Sequence, residues 1–401
     1  MLLTLLMDWI ELVVRWTHVI AGICWIGSSF YFMALDASLK HTARLVPGVK
    51  GEAWQVHGGG FYNMQKFVVA PEYMPKELTW FKWEAYSTWI FGFTLLVLVY
   101  YFNPTVYLID PQVMDLQVTD AVPLAAGSLI VGWFGYDLLC KSWVGQDTKR
   151  LAIVGCALLV AAAFFYTHVF SGRGAFIQVG ALVGTIMVAN VFFVIMPNQR
   201  KTVAALLAGE TPDPKWGAEA KQRSTHNNYL TLPVVFTMLS NHYAFTFQTR
   251  YNWVVLMAVF VAGFLIRHWF NVHHTGAKPD WRLWPAAAAP IFAVILLTLF
   301  TQPPPAPPLA ADAKPITFTD VQEIVSARCH TCHSAQPTFR GIAQAPKGVK
   351  FDTPSQIALQ ATQIYAQAVT TRAMPLGNVT KITEKERQTL ATWIAAGAHA
   401  E

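Results

Sequence analysis

The sequence predicts an all-α protein: a polytopic eight-helix transmembrane bundle followed by a small helical domain at the C-terminal end. Three observations predict it. Of 401 residues, 54% are hydrophobic and only 13% are charged, against about 25% charged in a soluble domain; mean hydropathy is +0.36. Eight apolar segments approach the ~20 residues a spanning helix needs, at 9–35, 80–102, 120–140, 151–170, 175–197, 228–245, 252–271 and 285–301. A proline-rich run, "TQPPPAPPLAADAKP", then separates them from a tail of ordinary polarity. The expected domains are 1–302 (membrane), 303–315 (a semi-rigid linker) and 316–401.

The first segment begins "MLLTLLMDWIELVVRW". A signal peptide has a basic start, whereas here no Lys or Arg precedes Arg15 and Asp8 and Glu11 interrupt the run, so a retained first helix is expected. The sixth segment is the most polar and the eighth the shortest. Trp9, Trp80, Trp83, Tyr100, Tyr101, Trp253, Trp281 and Trp284 sit at segment ends, as an interfacial aromatic belt does. Cys24, Cys140 and Cys156 fall in or beside apolar runs and read as small packing groups.

The loops set the orientation. The first, third, fifth and seventh loops carry fifteen Lys and Arg residues, and the other three carry two, Arg173 and Arg250. The positive-inside rule then makes the odd loops cytoplasmic. Both ends of the chain lie outside, periplasmic in a bacterial inner membrane. The net charge of +6 forms no compact basic stripe. Composition therefore points to lipid, not nucleic acid, as the surrounding partner.

The tail carries Cys329-His330-Thr331-Cys332-His333, the spacing of covalent c-type haem attachment. Such attachment occurs on the outer side of the membrane, where the loop charges independently place the tail. A helix is expected before the motif, with Thr319 and Gln322 as a capping box and Val321, Ile324 and Val325 as its apolar face. A second is expected from Thr383, boxed by Glu386, with Leu390, Trp393 and Ile394 inward. Two crossed helices around a haem describe a class I-type cytochrome c domain. His333 is the expected proximal iron ligand and Met374, in "TRAMPLGNV", the distal one, with His399 the other downstream candidate. His/Met ligation suits electron transfer, and a saturated iron has no open site for a substrate.

Ionisable groups within spans are costly and are functional candidates by default. Glu11, Arg15, His18, Gly22, Trp25 and Ser29 recur at spacings of 3 and 4, on one helix face. Glu11 and Arg15 can pair, and Gly22 admits a close neighbour. By topology His18, His168 and His242 form an outer set, and an outer pair of histidines on facing helices is a candidate site for haem b. His57, His226, Arg267, His268, His273 and His274 form an inner set, the last two plain and interfacial. The stretch 54–86, with three glycines after His57, reads either as an amphipathic interfacial segment or as a cap over a cytoplasmic-side pocket. Lys66, Lys82 and Arg267 are the nearest cations for a planar anion there.

The stretches "MDWIELVVRWTHVIAGICWIGSSFYFMALD", "WQVHGGGFYNMQK", "THNNYLTLPVVFTMLSNHY" and "CHTCH" resemble the membrane-bound urate hydroxylase family, PuuD. The resemblance covers essentially the whole chain. It implies oxidation of urate to 5-hydroxyisourate in purine catabolism, without hydrogen peroxide. Electrons would leave through the cytochrome domain to a respiratory acceptor such as soluble cytochrome c or a terminal oxidase. More distantly, "WTHVIAGICWIG" resembles the first helix of HemJ-type membrane proteins, where a histidine at the His18 position is linked to haem b. The expectations are therefore a cytochrome c-linked oxidoreductase with haem c on Cys329, Cys332, His333 and Met374. Haem b is expected on two of His18, His242 and His168, and substrate-side groups are drawn from His57, His226, His268 and Arg267. The alternative is a non-enzymatic subunit relaying electrons from quinol or a partner dehydrogenase to cytochrome c.

Overall fold

The computed structural model describes residues 2–69, 71, 77–301, 316–339, 342 and 344–400. The proline-rich linker at 303–315 and Lys76 of the first loop lie outside the described residues. Each of the eight apolar segments coincides with a long helical stretch. They are α1 (Leu2–Ser38); α2 (Trp83–Leu95), continued by π-helical turns Leu96–Tyr101; α4 (Val118–Lys141); α5 (Thr148–Val169); α6 (Gly172–Ala189), continued through π-helical Asn190–Ile195 into α7 (Met196–Leu207); α8 (Pro214–Leu239); α9 (Asn252–His274); and α10 (Leu283–Phe300). A short α3 (Pro104–Tyr107) follows α2.

Six of these stretches are long and apolar enough to cross a membrane. The exceptions are the α2 stretch, 83–101, and α8, whose first half carries Lys215, Glu219, Lys221 and Arg223. The fifth loop, expected over 198–227, is mostly helix: only 208–213 connects α7 to α8. Arg223, expected among its cytoplasmic charges, is 3% exposed inside the bundle.

The core lies around α6, whose Phe176 is buried with Phe170, Leu108, Phe247, Leu256 and Phe260. At the other extreme, α1 leaves Leu5, Trp9, Trp16 and Ile23 on the outside, as a lipid-facing helix does.

The first loop, expected as an amphipathic interfacial segment or a cap, carries strands. Its described part forms an antiparallel hairpin, β1 (Val49–His57) and β2 (Gly60–Phe67), turning at Gly58-Gly59. A period-2 pattern with β-branched and aromatic residues, closed by a Gly-Gly turn, is a hairpin signal. The glycines therefore shape the turn and not a pocket. Tyr31 donates to Gln55 at 2.7 Å and Lys66 pairs with Asp36, fixing the hairpin to the inner end of α1.

The tail folds around α11 (Phe318–Arg328), α12 (Pro354–Leu359), α13 (Ala361–Ile364), continued by Tyr365–Thr370, and α14 (Glu384–Ala395). Val321, Ile324, Val325, Leu390 and Trp393 are buried together, with Ile394 at the margin. The α14 capping box is Thr383 with Glu386, where expected. That of α11 is Thr317 with Asp320, two residues before the expected Thr319–Gln322 pair. Asp320 returns a bond to the Thr317 amide at 2.8 Å, an acceptor role that Asp fills as Glu does. Arg328 ties α11 to α14 through Glu386 at 2.9 Å and the Thr380 carbonyl at 2.6 Å.

Candidate functional site

The CHTCH segment turns directly off the end of α11. The amides of Cys332 and His333 both donate to the Cys329 carbonyl, at 3.2 and 2.9 Å. The chain thereby holds two thiols and an imidazole within a single tight turn. His333 Nδ1 is 3.0 Å from the Val349 carbonyl and its ring packs on Phe351 at 5.3 Å. A ring that donates Nδ1–H to a carbonyl keeps Nε2 as a directed lone pair, the arrangement an iron-ligating histidine needs. Burial pushes the Cys329 thiol up to about 12, so it stands as a neutral sulfur in the apolar wall. The donor set fits a covalently held haem. Met374 lies on the far loop, its carbonyl accepting from Arg387 at 3.0 Å. His399 is exposed and folds back beside Gly397, its carbonyl accepting from Trp393 at 2.8 Å. His330 is surface-placed, 3.1 Å from Asp352.

In α1, Glu11 and Arg15 form the expected ion pair on the helix exterior. His18 packs against α2: its Nδ1 is 2.8 Å from the Thr88 carbonyl and its ring faces Gly92. A Cβ at Gly92 would sit 2.6 Å from His18 Cε1, so the glycine is what admits the ring. The close approach expected at Gly22 is ordinary contact, 3.9 Å from the Thr88 methyl. The carbonyl bond again leaves Nε2 of His18 free.

The other two outer histidines are not assembled around it. His168 is exposed, bonded to the Phe164 carbonyl of its own helix at 2.7 Å and stacked on the Phe164 ring. His242 is exposed beyond α8, where its neighbour Asn241 accepts from Tyr100 at 3.1 Å. Tyr100 is eight residues beyond Gly92, so His18 and His242 differ in depth by about 12 Å at 1.5 Å per residue.

The inner candidates divide. His57 is exposed at the hairpin tip. His268 is exposed on α9, stacked on Tyr229 with Nδ1 2.8 Å from its hydroxyl. Lys66 is already paired with Asp36, and Lys82 lies over Trp83. His226 and Arg267 instead enter two buried polar networks, one on each side of α8.

The first network joins α4, α6 and α8. Asn190, at the start of the π-helical turns, donates to Asn227 at 2.9 Å and to the Tyr136 hydroxyl at 3.2 Å. That leaves the phenolic proton to point at His226 Nδ1, 2.6 Å away. Asn227 donates on to the Met187 carbonyl at 2.9 Å. Arg223 completes the network through Asp137 at 2.8 Å, and Asp137 also takes Lys141 at 2.6 Å. Helical π-turns concentrate at functional sites, and this one aims Asn190 inward.

The second network joins α1, α8 and α9. Arg267, 4% exposed, donates to Asn228 Oδ1 at 3.3 Å and to Asn271 Oδ1 at 3.1 Å. Asn271 also donates to Asn228 Oδ1 at 2.9 Å. The guanidinium lies 3.7 Å over the Phe30 ring. Among the described residues Arg267 meets no carboxylate. Asn228 is fully buried, and its Nδ2 has no hydrogen-bond partner. A buried amide donor without a partner is uncommon and calls for a ligand or water.

The asparagines, Asp137, Tyr136 and Arg223 were not singled out by sequence reasoning. The signal available was the cluster "RSTHNNY" at the head of an apolar segment.

A family model described as "Urate oxidase N-terminal" matches residues 4–299. The chain belongs to the urate oxidase N-terminal family. Both buried networks fall inside the match, and the CHTCH tail lies beyond it. Membership gives a urate-related, oxidoreductase-type role, in a chain with six helices apolar enough to span a membrane. No curated protein and no solved structure matches the chain.

Proposed function

We propose that this protein oxidises urate to 5-hydroxyisourate within an eight-span membrane domain and passes the electrons to a c-type haem in its periplasmic tail. One water is consumed, and two electrons and two protons leave; the water supplies the oxygen at C5. The observation that carries this reading is the Arg267–Asn228 pair. Urate is a planar monoanion, presenting carbonyl oxygens and ring nitrogens along one edge. A guanidinium without a carboxylate partner supplies the charge and a planar fork. The partnerless Asn228 amide supplies a second directed donor, and Asn271 holds both in place. Uncompensated charge at such a depth is expensive, so an anionic substrate is bound strongly there.

His226 is the proton acceptor in this reading. Its Nδ1 receives from Tyr136, whose oxygen is held by Asn190, so a proton released at the phenol side passes to the imidazole. A c-type haem, which Cys329, Cys332, His333 and Met374 would hold, would supply one-electron acceptance and onward delivery to a respiratory acceptor. His18, whose Nδ1 is held by the Thr88 carbonyl and whose Nε2 is free, is the candidate ligand that a haem b would use.

Membranes containing this chain, given urate anaerobically with an excess of oxidised cytochrome c, should lose urate and reduce two cytochromes per urate. If urate persists at the background rate while quinol still reduces the haem, the electron-transfer subunit is the correct reading. Arg267→Gln should raise KM for urate, and Arg267→Lys should restore part of it.

A further inference from the structure

The outer end of the molecule holds a charge arrangement that the inner site does not use. There the tail loop 372–378 rests on α3 and the residues after it. Gly377, at φ 55°, lies so close to α3 that a Cβ would sit 2.8–3.0 Å from the carbonyl oxygens of Thr105, Val106 and Ile109. Beside this seam is a crevice of about 380 Å³. Its walls include Asp110, Arg173 and Arg250 from the membrane domain and Arg372 and Arg387 from the tail.

The charges in this crevice do not balance. Arg372 pairs with Glu384 at 2.8 Å. Arg387, 3% exposed, donates to the carbonyls of Met374 and Ala368 and to no carboxylate. Arg173 lies over Tyr107 and Phe247, at 5.9 and 5.8 Å, and Arg250 over Tyr251 at 4.6 Å. Among the described residues neither has an ion-pair partner. Asp110 is the one acidic residue in the lining, so two positive charges remain after it is counted. Like charges that line one crevice repel. Aromatic faces offset this only in part.

We propose that this crevice binds an oxyanion of phosphate or carboxylate chemistry, held by Arg173, Arg250 and Arg387. Guanidinium forks match such anions in geometry, and a volume of this size holds one small anion with its water. The crevice adjoins the haem-attachment residues: none of Cys329, Cys332, His333 and Met374 lines it, while Arg387 donates to the Met374 carbonyl at 3.0 Å. Because its cations come from both domains, a bound anion fastens the tail to the membrane domain. The oxyanion comes either from solution or from a phospholipid headgroup, since the crevice lies at the level of the outer interface.

The test uses the full-length, haem-loaded protein and inorganic phosphate. Delipidated protein in detergent should bind phosphate saturably, about one per chain, by calorimetry at constant ionic strength. Arg173→Gln/Arg250→Gln should weaken binding at least about tenfold. Arg282→Gln, an exposed arginine in the α9–α10 connection, should leave it unchanged. Arg250→Gln alone, at an exposed position, guards against a folding defect and should weaken binding by itself. In nanodiscs, phosphate binding that persists in phosphatidylcholine but disappears with phosphatidylglycerol identifies the headgroup as occupant. Binding that persists in both identifies a dissolved anion. Absence of saturable binding in detergent and in phosphatidylcholine discs, or equal affinity in wild type and the double variant, overturns the proposal.

Discussion

Arg223, on α8, and Arg267, on α9, are both buried in the bundle, at 3% and 4% exposure. They are not equivalent. Arg223 ends on the carboxylate of Asp137. Arg267 ends on two amide oxygens and a phenyl face. The first network is complete within the protein and holds α4, α6 and α8 together. The second has a charge without a carboxylate and a spare donor, which the proposed substrate would complete. A buried cation with its own anion is a structural element, and a buried cation without one marks a site.

The largest expected effect tests the first half of that contrast. Asp137→Asn leaves Arg223 buried and uncompensated, which costs about 3–5 kcal/mol. A fall of that size should appear as loss of folded protein in detergent, read by thermal unfolding. Arg267→Gln should cost far less stability, because no carboxylate is orphaned. If the two variants are equally destabilised, the contrast between the networks is wrong.

The second effect concerns binding. Loss of a charge-assisted contact to the substrate is worth about 1.5–3 kcal/mol, or roughly ten- to hundredfold in urate affinity. Arg267→Gln should show it; Arg223→Gln should show mainly instability. Unchanged urate affinity in a folded Arg267→Gln protein would move the substrate elsewhere.

The third turns on Gly92. Gly92→Ala drives a methyl into the His18 ring, at a cost of about 1–3 kcal/mol. It should also displace Nε2 of His18. A pyridine haemochrome spectrum should then show less b-type haem per c-type haem than wild type. A wild-type spectrum with c-type haem alone would end the haem b proposal.

Legibility in the sequence followed periodicity. Six of the apolar segments and the α14 capping box stand where composition and spacing put them, because both depend on residues near in sequence. The Glu11–Arg15 pair was legible for the same reason. The capping box of α11 was misplaced because Thr317–Asp320 and Thr319–Gln322 offer competing patterns two residues apart, and only packing selects one. The hairpin was missed because its exposed Trp54, Val56 and Phe61 read as an interfacial segment when taken as composition. His18 packs against Thr88 and Gly92, some seventy residues away, a contact that periodicity does not show. The Asn190–Asn227 and Arg267–Asn228 contacts are similarly long-range. Arg223 looked like a loop charge because the polar first half of α8 hides how far the helix extends into the bundle.

The smallest effect falls in the tail, where interactions are local and near solvent. Burial alone would raise the Glu386 carboxyl, but the Thr383 amide and the Arg328 guanidinium together hold it below the usual carboxylate range. A depressed folded value means that Glu386 stabilises the tail above the unfolded value of about 4.3. That contribution is lost as pH falls through the folded value. Thr383→Ala removes the reciprocal half of the cap and should cost about 1 kcal/mol. Glu386→Gln keeps a capping side chain but not the charge. It should therefore lower tail stability at neutral pH by a similar or smaller amount and make no difference in acid. The haem absorbance of the tail during urea unfolding at neutral and acidic pH reads both. A Glu386→Gln deficit that persists undiminished in acid would show that the Arg328–Glu386 pair acts through shape and not charge. The contrast between paired and unpaired arginines would then hold for the membrane domain alone.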